Sequence, residues 1–362
     1  MQIGLTNCLM FRSSFNRPNL SYEVRSGSYK KDAKVKEIAE FIAQKHSINL
    51  GNRRNAKCGI IYCTSKKRTE EVAEKLDSEL GKILGRVDAP RVRYYHADLL
   101  PEERERIQQS WTDGHLPIVV ATVAFGMGIN KPDVRFVIHY NMPKSLEGYL
   151  QESGRAGRDG EAADCVLYYN WSDVQGHKSL LQDPDQRQEA LDRGATSQQY
   201  DIQQDHSIES LHAVAAFCQE PLRCRREMML EHFDEKFERS QCNKTCDNCQ
   251  KLGGLEVKMV DRTEAAKTVI QVVRHLAKKQ EATRRNETSL TKIAAVFNGA
   301  SSQDKHDTSI FGAGKVHRLS KKEVDRLIRT MITKVSSCCH TLNGVQYHWL
   351  FSRALNYSLI TY

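Results

Sequence analysis

Along the first half of the chain, short apolar runs alternate with longer stretches in which apolar residues recur every three or four positions. Four β-rich runs, at 58–63, 117–121, 134–139 and 164–169, are separated by helix-period stretches at 66–80, 101–112 and 145–152. A run too short for a helix and apolar throughout reads as a strand covered on both faces, and its alternation with helices argues for βαβ units and a parallel sheet. In such a sheet the loops at the carboxyl ends of the strands form the ligand crevice. Thr122 to Gly128 and the turn bearing Arg155 and Arg158 are therefore expected on that edge. Residues 176–207 are polar and read as an exposed helix and linker.

After residue 258 the pattern is helical. Arg262 to Lys279 places Ala265, Val269, Val272, Val273 and Leu276 on one stripe, Ser289 to Phe297 is a shorter helix, and Ser320-Lys321-Lys322-Glu323 opens a third with a capping box. This is the helix order of a winged helix. On the third helix Lys321, Lys322, Arg326 and Arg329 lie opposite Val324, Leu327, Ile328 and Met331, which suits a DNA-facing element or equally a solvated amphipathic helix. Asn343-Gly344 is a type I′ turn signal between 335–340 and 345–349, so a hairpin is expected there, with the non-aromatic Thr341 and Leu342 near its tip.

Composition narrows the class. The 362 residues are 40% hydrophobic and 27% charged, with no apolar run long enough to span a bilayer, so no membrane partner is expected. No secretory signal is evident. Cys8, Cys58, Cys63 and Cys165 stand singly, as reduced thiols do, and disulfides are not expected. Of the net charge of +9, residues 258–334 hold 17 Lys and Arg against 8 Asp and Glu, while the signs elsewhere cancel. A surplus this local is the footprint of a phosphate-binding surface.

Cys224, Cys242, Cys246 and Cys249 form the spacing C-x17-C-x3-C-x2-C. Four such cysteines can converge on zinc as a thiolate tetrahedron, and with no position left for water the site is structural. The adjacent Arg223, Arg225 and Arg226 would lower the thiolate pKa values and could touch DNA. Cys218 falls outside the pattern and reads as core.

The stretch Gln151 to Gly160 carries Arg155 and Arg158 three apart among small residues. One helical turn would aim both guanidiniums the same way, and arginine pairs on a bare backbone clamp transferring phosphoryl groups. Taken with Phe15 to Leu20, Cys58 to Cys63, Tyr95 to Asp98 followed by the Arg104 helix, and Ile118 to Tyr140, this stretch resembles RecQ-type DNA helicases; Arg223 to Arg226 and Cys246 to Cys249 match that family's zinc module. The resemblance covers residues 15 to 334.

It implies an α/β fold: a RecA-like parallel-sheet lobe, a helical zinc-binding module, and a winged-helix domain with an atypical tail. The implied bounds are 1–16 for a remnant of a first motor lobe and linker, 17–170, 171–252 and 253–362. It implies the C-terminal portion of an ATP-dependent 3′-to-5′ DNA helicase acting in repair, recombination or telomere maintenance in the nucleus. Arg155, Arg158 and Gly128 would face ATP, Gln151 would couple that site to DNA, and Thr122 would grip a strand phosphate. Lys321, Lys322 and Arg326 would meet single-stranded, duplex or structured DNA. Zinc is the structural cofactor. ATP and Mg²⁺ are expected only with a complete first lobe, since no G-x-x-x-x-G-K-[ST] loop or acidic box occurs in the sequence. Met1 to Ser14 read like the tail of that lobe, and the chain alone is expected not to turn over ATP. The alternative is a non-catalytic DNA-binding protein that uses only the zinc and winged-helix regions.

Overall fold

The computed structural model describes residues 14–27, 32–46, 57–84, 91–126, 129–252, 260–283, 289–300 and 310–336. Gly128, Cys8 and the hairpin turn at Asn343-Gly344 lie outside them. Two compact units divide the chain, one made of Met1–Asp173 with Glu220–Gly254, the other of Val174–Gln219 with Leu255–Tyr362.

The first unit is built on a six-stranded, wholly parallel sheet. Its strands are β1 (Leu20–Ser26), β2 (Cys58–Tyr62), β3 (Val92–Tyr95), β4 (Ile118–Ala121), β5 (Val134–His139) and β6 (Ala163–Tyr169), in the order β1-β6-β5-β2-β4-β3. Every residue of the inner strands β2, β4 and β6 is buried, as two covered faces require, whereas edge strand β1 alternates. Helices α1 (Ala33–His46) and α2 (Lys66–Leu84) bury Val35, Ile38, Ile42, Leu76 and Leu80 with Phe136 and Ile138. The pattern missed β1, β3 and α1. Edge strands carry polar residues on their open side, so Leu20–Ser26 lacks the continuous apolar run that marks an inner strand.

Helix α3 (Pro101–Thr112) leads into β4, and α4 (Leu146–Ser153) crosses from β5 back toward β6. Ser145 caps α4 by accepting from the Gly148 N–H. After β6 come α5 (Trp171–Leu181), α6 (Pro184–Asp192) and α7 (Ser197–Gln219). Where an exposed helix and linker were expected there are three helices, and α7 runs 23 residues and buries Ile208, Leu211, Val214 and Phe217 in its second half. Cys218 is buried as expected.

In the second unit α10 (Thr263–Thr283), α11 (Leu290–Asn298), the short α12 (Ala313–Val316) and α13 (Lys321–Ser336) enclose a core of Ala265, Val269, Val273, Leu276, Phe297, Val324, Ile328 and Met331. The predicted stripe is the buried one. The capping box is reciprocal: the Ser320 N–H donates to Glu323 and the Glu323 N–H donates to Ser320 Oγ. Helix α13 runs to Ser336, two residues into the run expected as the first wing strand, and the remainder of that wing lies outside the described residues. Among the described residues no helix is long and apolar enough to cross a membrane.

Candidate arginine turn and zinc centre

Helix α4 ends at Ser153, so Arg155 and Arg158 stand in successive tight turns, not on a helical turn as their spacing suggested. Gly154 caps the helix, and Gly157 takes φ +53°, a left-handed conformation that glycine adopts without a Cβ penalty. The two guanidiniums nevertheless converge on one loop. Arg155 donates to the Gly126 carbonyl; Arg158 donates to the Ile129 carbonyl at 2.8 Å and to Asn130 Oδ1 at 3.0 Å. Neither is ion-paired among the described residues, and Arg155 Nε is buried without an acceptor there.

The expected placement of this turn at the carboxyl edge of the sheet is corrected. Its backbone is tied to the amino ends: the Gly157 N–H donates to the Val134 carbonyl and the Asp159 N–H to the Pro132 carbonyl, while Arg135 pairs with Asp159 at 2.6 Å. A helix joining two parallel strands must run back against them, so the end of α4 delivers the chain to the start of β6. Thr122 does lie at the carboxyl end of β4, its N–H bonded to the Tyr95 carbonyl. Gln151 is exposed on the last turn of α4.

Three features of this site carry no sequence signal of their own. Arg17 donates to the Gly154, Ala156 and Gly157 carbonyls, and Asn19 Nδ2 to those of Gly157 and Glu161. His139, 1% exposed, meets Glu152 at 2.7 Å on α4. The Tyr62 hydroxyl donates to the Phe125 carbonyl beside the Arg155 contact, and burial pushes its phenol pKa up. Phe15 to Leu20 was legible only as part of a larger match, because its hydrogen bonds run to residues about 140 positions away.

The four cysteines do converge. Their sulfurs lie within 4.8 Å of one another and all are buried; Cys224 and Cys246 stand 3.9 Å apart. A tetrahedron of sulfurs 2.3 Å from zinc has edges of about 3.8 Å, so the donor set fits the ion. Cys224 caps α8 (Arg225–His232), Cys242 ends a 3₁₀ turn (Arg239–Cys242), and Cys246 caps α9 (Asp247–Lys251), which carries Cys249. Between Cys242 and Cys246 both Asn243 and Lys244 have positive φ, the tight fold that brings the ligands together. The Cys246 thiol is held below the usual thiol range, first by its hydrogen bond with the Cys224 thiol and then by the Arg225 and Cys249 N–H groups aimed at its sulfur.

The flanking arginines act otherwise than expected. Arg225 and Arg226 are 3% and 1% exposed, out of reach of DNA. Arg225 pairs with buried Asp247 at 2.9 Å; burial alone would raise that carboxyl, and the Arg225 bonds hold it low instead. Arg226 donates to the Arg17 and Pro18 carbonyls before β1 and to that of Leu20, its first residue. Arg223, half-exposed, pairs with Glu227 and Glu231.

On the second unit Lys321, Lys322 and Arg326 are exposed along α13, opposite its buried stripe, with exposed Lys315 and Arg318 just before it.

Three family descriptions match in sequence order: the helicase conserved C-terminal domain at residues 33–160, RecQ zinc-binding at 171–250, and the RQC domain at 256–336. Among curated proteins the chain is 36% identical to ATP-dependent DNA helicase Q-like 4B of Arabidopsis thaliana, over 92% of this chain and 27% of that one. It is 41% identical to ATP-dependent DNA helicase Q1 of Rattus norvegicus over 74% and 37%, and 35% identical to the helicase hus2/rqh1 of Schizosaccharomyces pombe over 92% and 22%. The chain thus spans between about a fifth and two fifths of the length of these relatives. With a parallel-sheet lobe bearing the arginine turn, a buried cysteine quartet and a helical basic unit matched in that order, the chain belongs to the RecQ helicase family and carries its helicase C-terminal, zinc-binding and RQC regions.

Proposed function

We propose that this chain supplies the second motor lobe and the DNA-binding modules of an ATP-dependent 3′-to-5′ DNA helicase, with functional bounds at 17–170, 171–252 and 253–362. The observation that carries this reading is the pair Arg155 and Arg158, both donating to the segment around Gly126, Ile129 and Asn130 with no ion pair among the described residues. A guanidinium so held is oriented but not neutralised, which is what stabilising charge on a transferring phosphoryl group requires. ATP and magnesium would be held by another lobe, since no phosphate-wrapping loop is in this sequence, and by itself the chain would not turn ATP over. Gln151 and Thr122 would link that site to a DNA strand, zinc would hold the Cys224–Cys249 module together, and the basic face of α13 would neutralise duplex phosphates. A nuclear location and work on chromosomal DNA accord with this role.

The test joins the chain to the first motor lobe of a RecQ relative and measures DNA-stimulated ATP turnover. Arg155→Ala and Arg158→Ala should each lower kcat by about 10³-fold or more. Turnover in the fusion that neither substitution changes would leave the DNA-binding role alone standing.

A further inference from the structure

The zinc centre and the arginine turn are joined through one short segment, Asn16–Leu20, and every link is a hydrogen bond. On one side stands Arg226, a buried guanidinium with no carboxylate partner among the described residues. It donates to Asn16 Oδ1 at 2.9 Å, to the Arg17 carbonyl at 2.7 Å, to the Pro18 carbonyl at 3.3 Å and to the Leu20 carbonyl. Its Nε donates to Thr245 Oγ1 at 3.0 Å, which lies 3.8 Å from Cys242 Sγ. A second link runs beside it. The Tyr22 N–H donates to the Thr245 carbonyl, and Tyr22 forms a parallel bridge to Cys246, so the metal-binding loop closes the outer edge of β1. On the other side of the same segment, Arg17 and Asn19 hold four carbonyls of the turn that bears Arg155 and Arg158.

We propose that Arg226 and Arg17 are positioning residues for Arg155 and Arg158, through which the metal-loaded cysteine loop fixes the arginine turn. The proposal rests on the nucleotide-facing reading of that turn. Arg17 is the joint: its carbonyl accepts from Arg226 while its guanidinium spans the turn. A buried cation is costly unless compensated. Zinc with four thiolates carries a net charge of −2, so the loaded site offers Arg226 a counter-charge beside Thr245 as well as a fixed Thr245 hydroxyl. Gly157 shows how closely the far end fits, since a Cβ there would lie 2.5 Å from Asn19 Nδ2 and 2.6 Å from the Glu161 carbonyl.

Hydrogen–deuterium exchange by mass spectrometry on the zinc-loaded full chain tests this without nucleotide. In Arg17→Gln, remote from the cysteines, one zinc per chain should remain and β2 and β4 should keep their protection. Peptides spanning 154–161 should exchange at least about tenfold faster. Arg226→Gln and chelation of the metal should reproduce that local loss, and Arg17→Lys should recover part of the protection. Unchanged exchange at 154–161 in Arg17→Gln overturns the proposal. So does an equal rise in β2 and β4, because the arginine would then support the whole unit without setting the turn. If the local loss appears but Arg155→Ala leaves the fused motor unchanged, the coupling stands and the nucleotide reading falls.

Discussion

Gly126 shows how much one missing side chain can decide. A Cβ there would lie 2.4 Å from Arg155 Nη2, so any side chain at this position would have to displace that guanidinium. Gly126→Ala should therefore push Arg155 aside and lower turnover of the fused motor toward the Arg155→Ala level, while thermal melting shifts by no more than a few degrees. A large melting shift would show the glycine to be structural instead. His212 makes a different point. Burial on α7 pulls its imidazole from 6.5 down to about 4. The unfolded chain then binds the proton more readily than the folded one, so stability is full above about pH 6.5 and falls as pH drops toward 4, by roughly 3 kcal/mol at most. His212→Leu should flatten that part of the pH–stability curve, and a curve unchanged between pH 7 and 4 would remove His212 as its source. The arginine pair was legible in the sequence, but the histidine was not, because a lone polar residue midway along a helix gives no sign of its burial.

Among the elements, the cysteine module is the clearest case of chemistry legible from spacing. Its five-residue helix and 3₁₀ turn are too short to be stable alone, and metal binding supplies the folding energy. Cys246→Ser should abolish the one zinc expected per chain by elemental analysis. It should also lower the melting midpoint of the sheet-bearing unit by about 10 °C or more, taking several kcal/mol at about 2–4 °C each. Full metal content in that variant would remove the quartet as the site. What spacing could not reveal is where the flanking arginines point. Arg225 and Arg226 read as surface charge in a basic run, yet one meets Asp247 and the other the carbonyls before β1, both partners remote in sequence.

For the whole molecule, the charge distribution sets the expected DNA behaviour. The net surplus lies in 258–334, and Lys321, Lys322 and Arg326 present it on the open face of α13. Every side chain that neutralises a phosphate should steepen the dependence of log affinity on log salt by about 0.9, and its removal should flatten it by as much. Replacing all three by alanine should thus weaken duplex binding and reduce the slope by up to about 2.7, with sequence preference unchanged, because phosphate neutralisation carries no base information. The fluorescence anisotropy of a labelled duplex, titrated at several salt concentrations, reads this out. An unaltered slope would mean that α13 is a solvated face.

By itself the sequence determined the parallel α/β lobe, the zinc ligands, the three-helix stripe with its capping box, and the arginine pair. Each is written in local period, fixed spacing or residue type. Only the tertiary structure decided the outer strands of the sheet, the burial of the second half of α7, and the amino-end anchoring of the arginine turn. It also decided the hydrogen-bond partners of Arg17, Asn19, His139 and Arg226. The physical reason is the same throughout. A hydrogen bond from Arg226 to a carbonyl some 200 residues earlier has no counterpart in periodicity or composition, and exists only once β1, α4 and the cysteine loop have packed together.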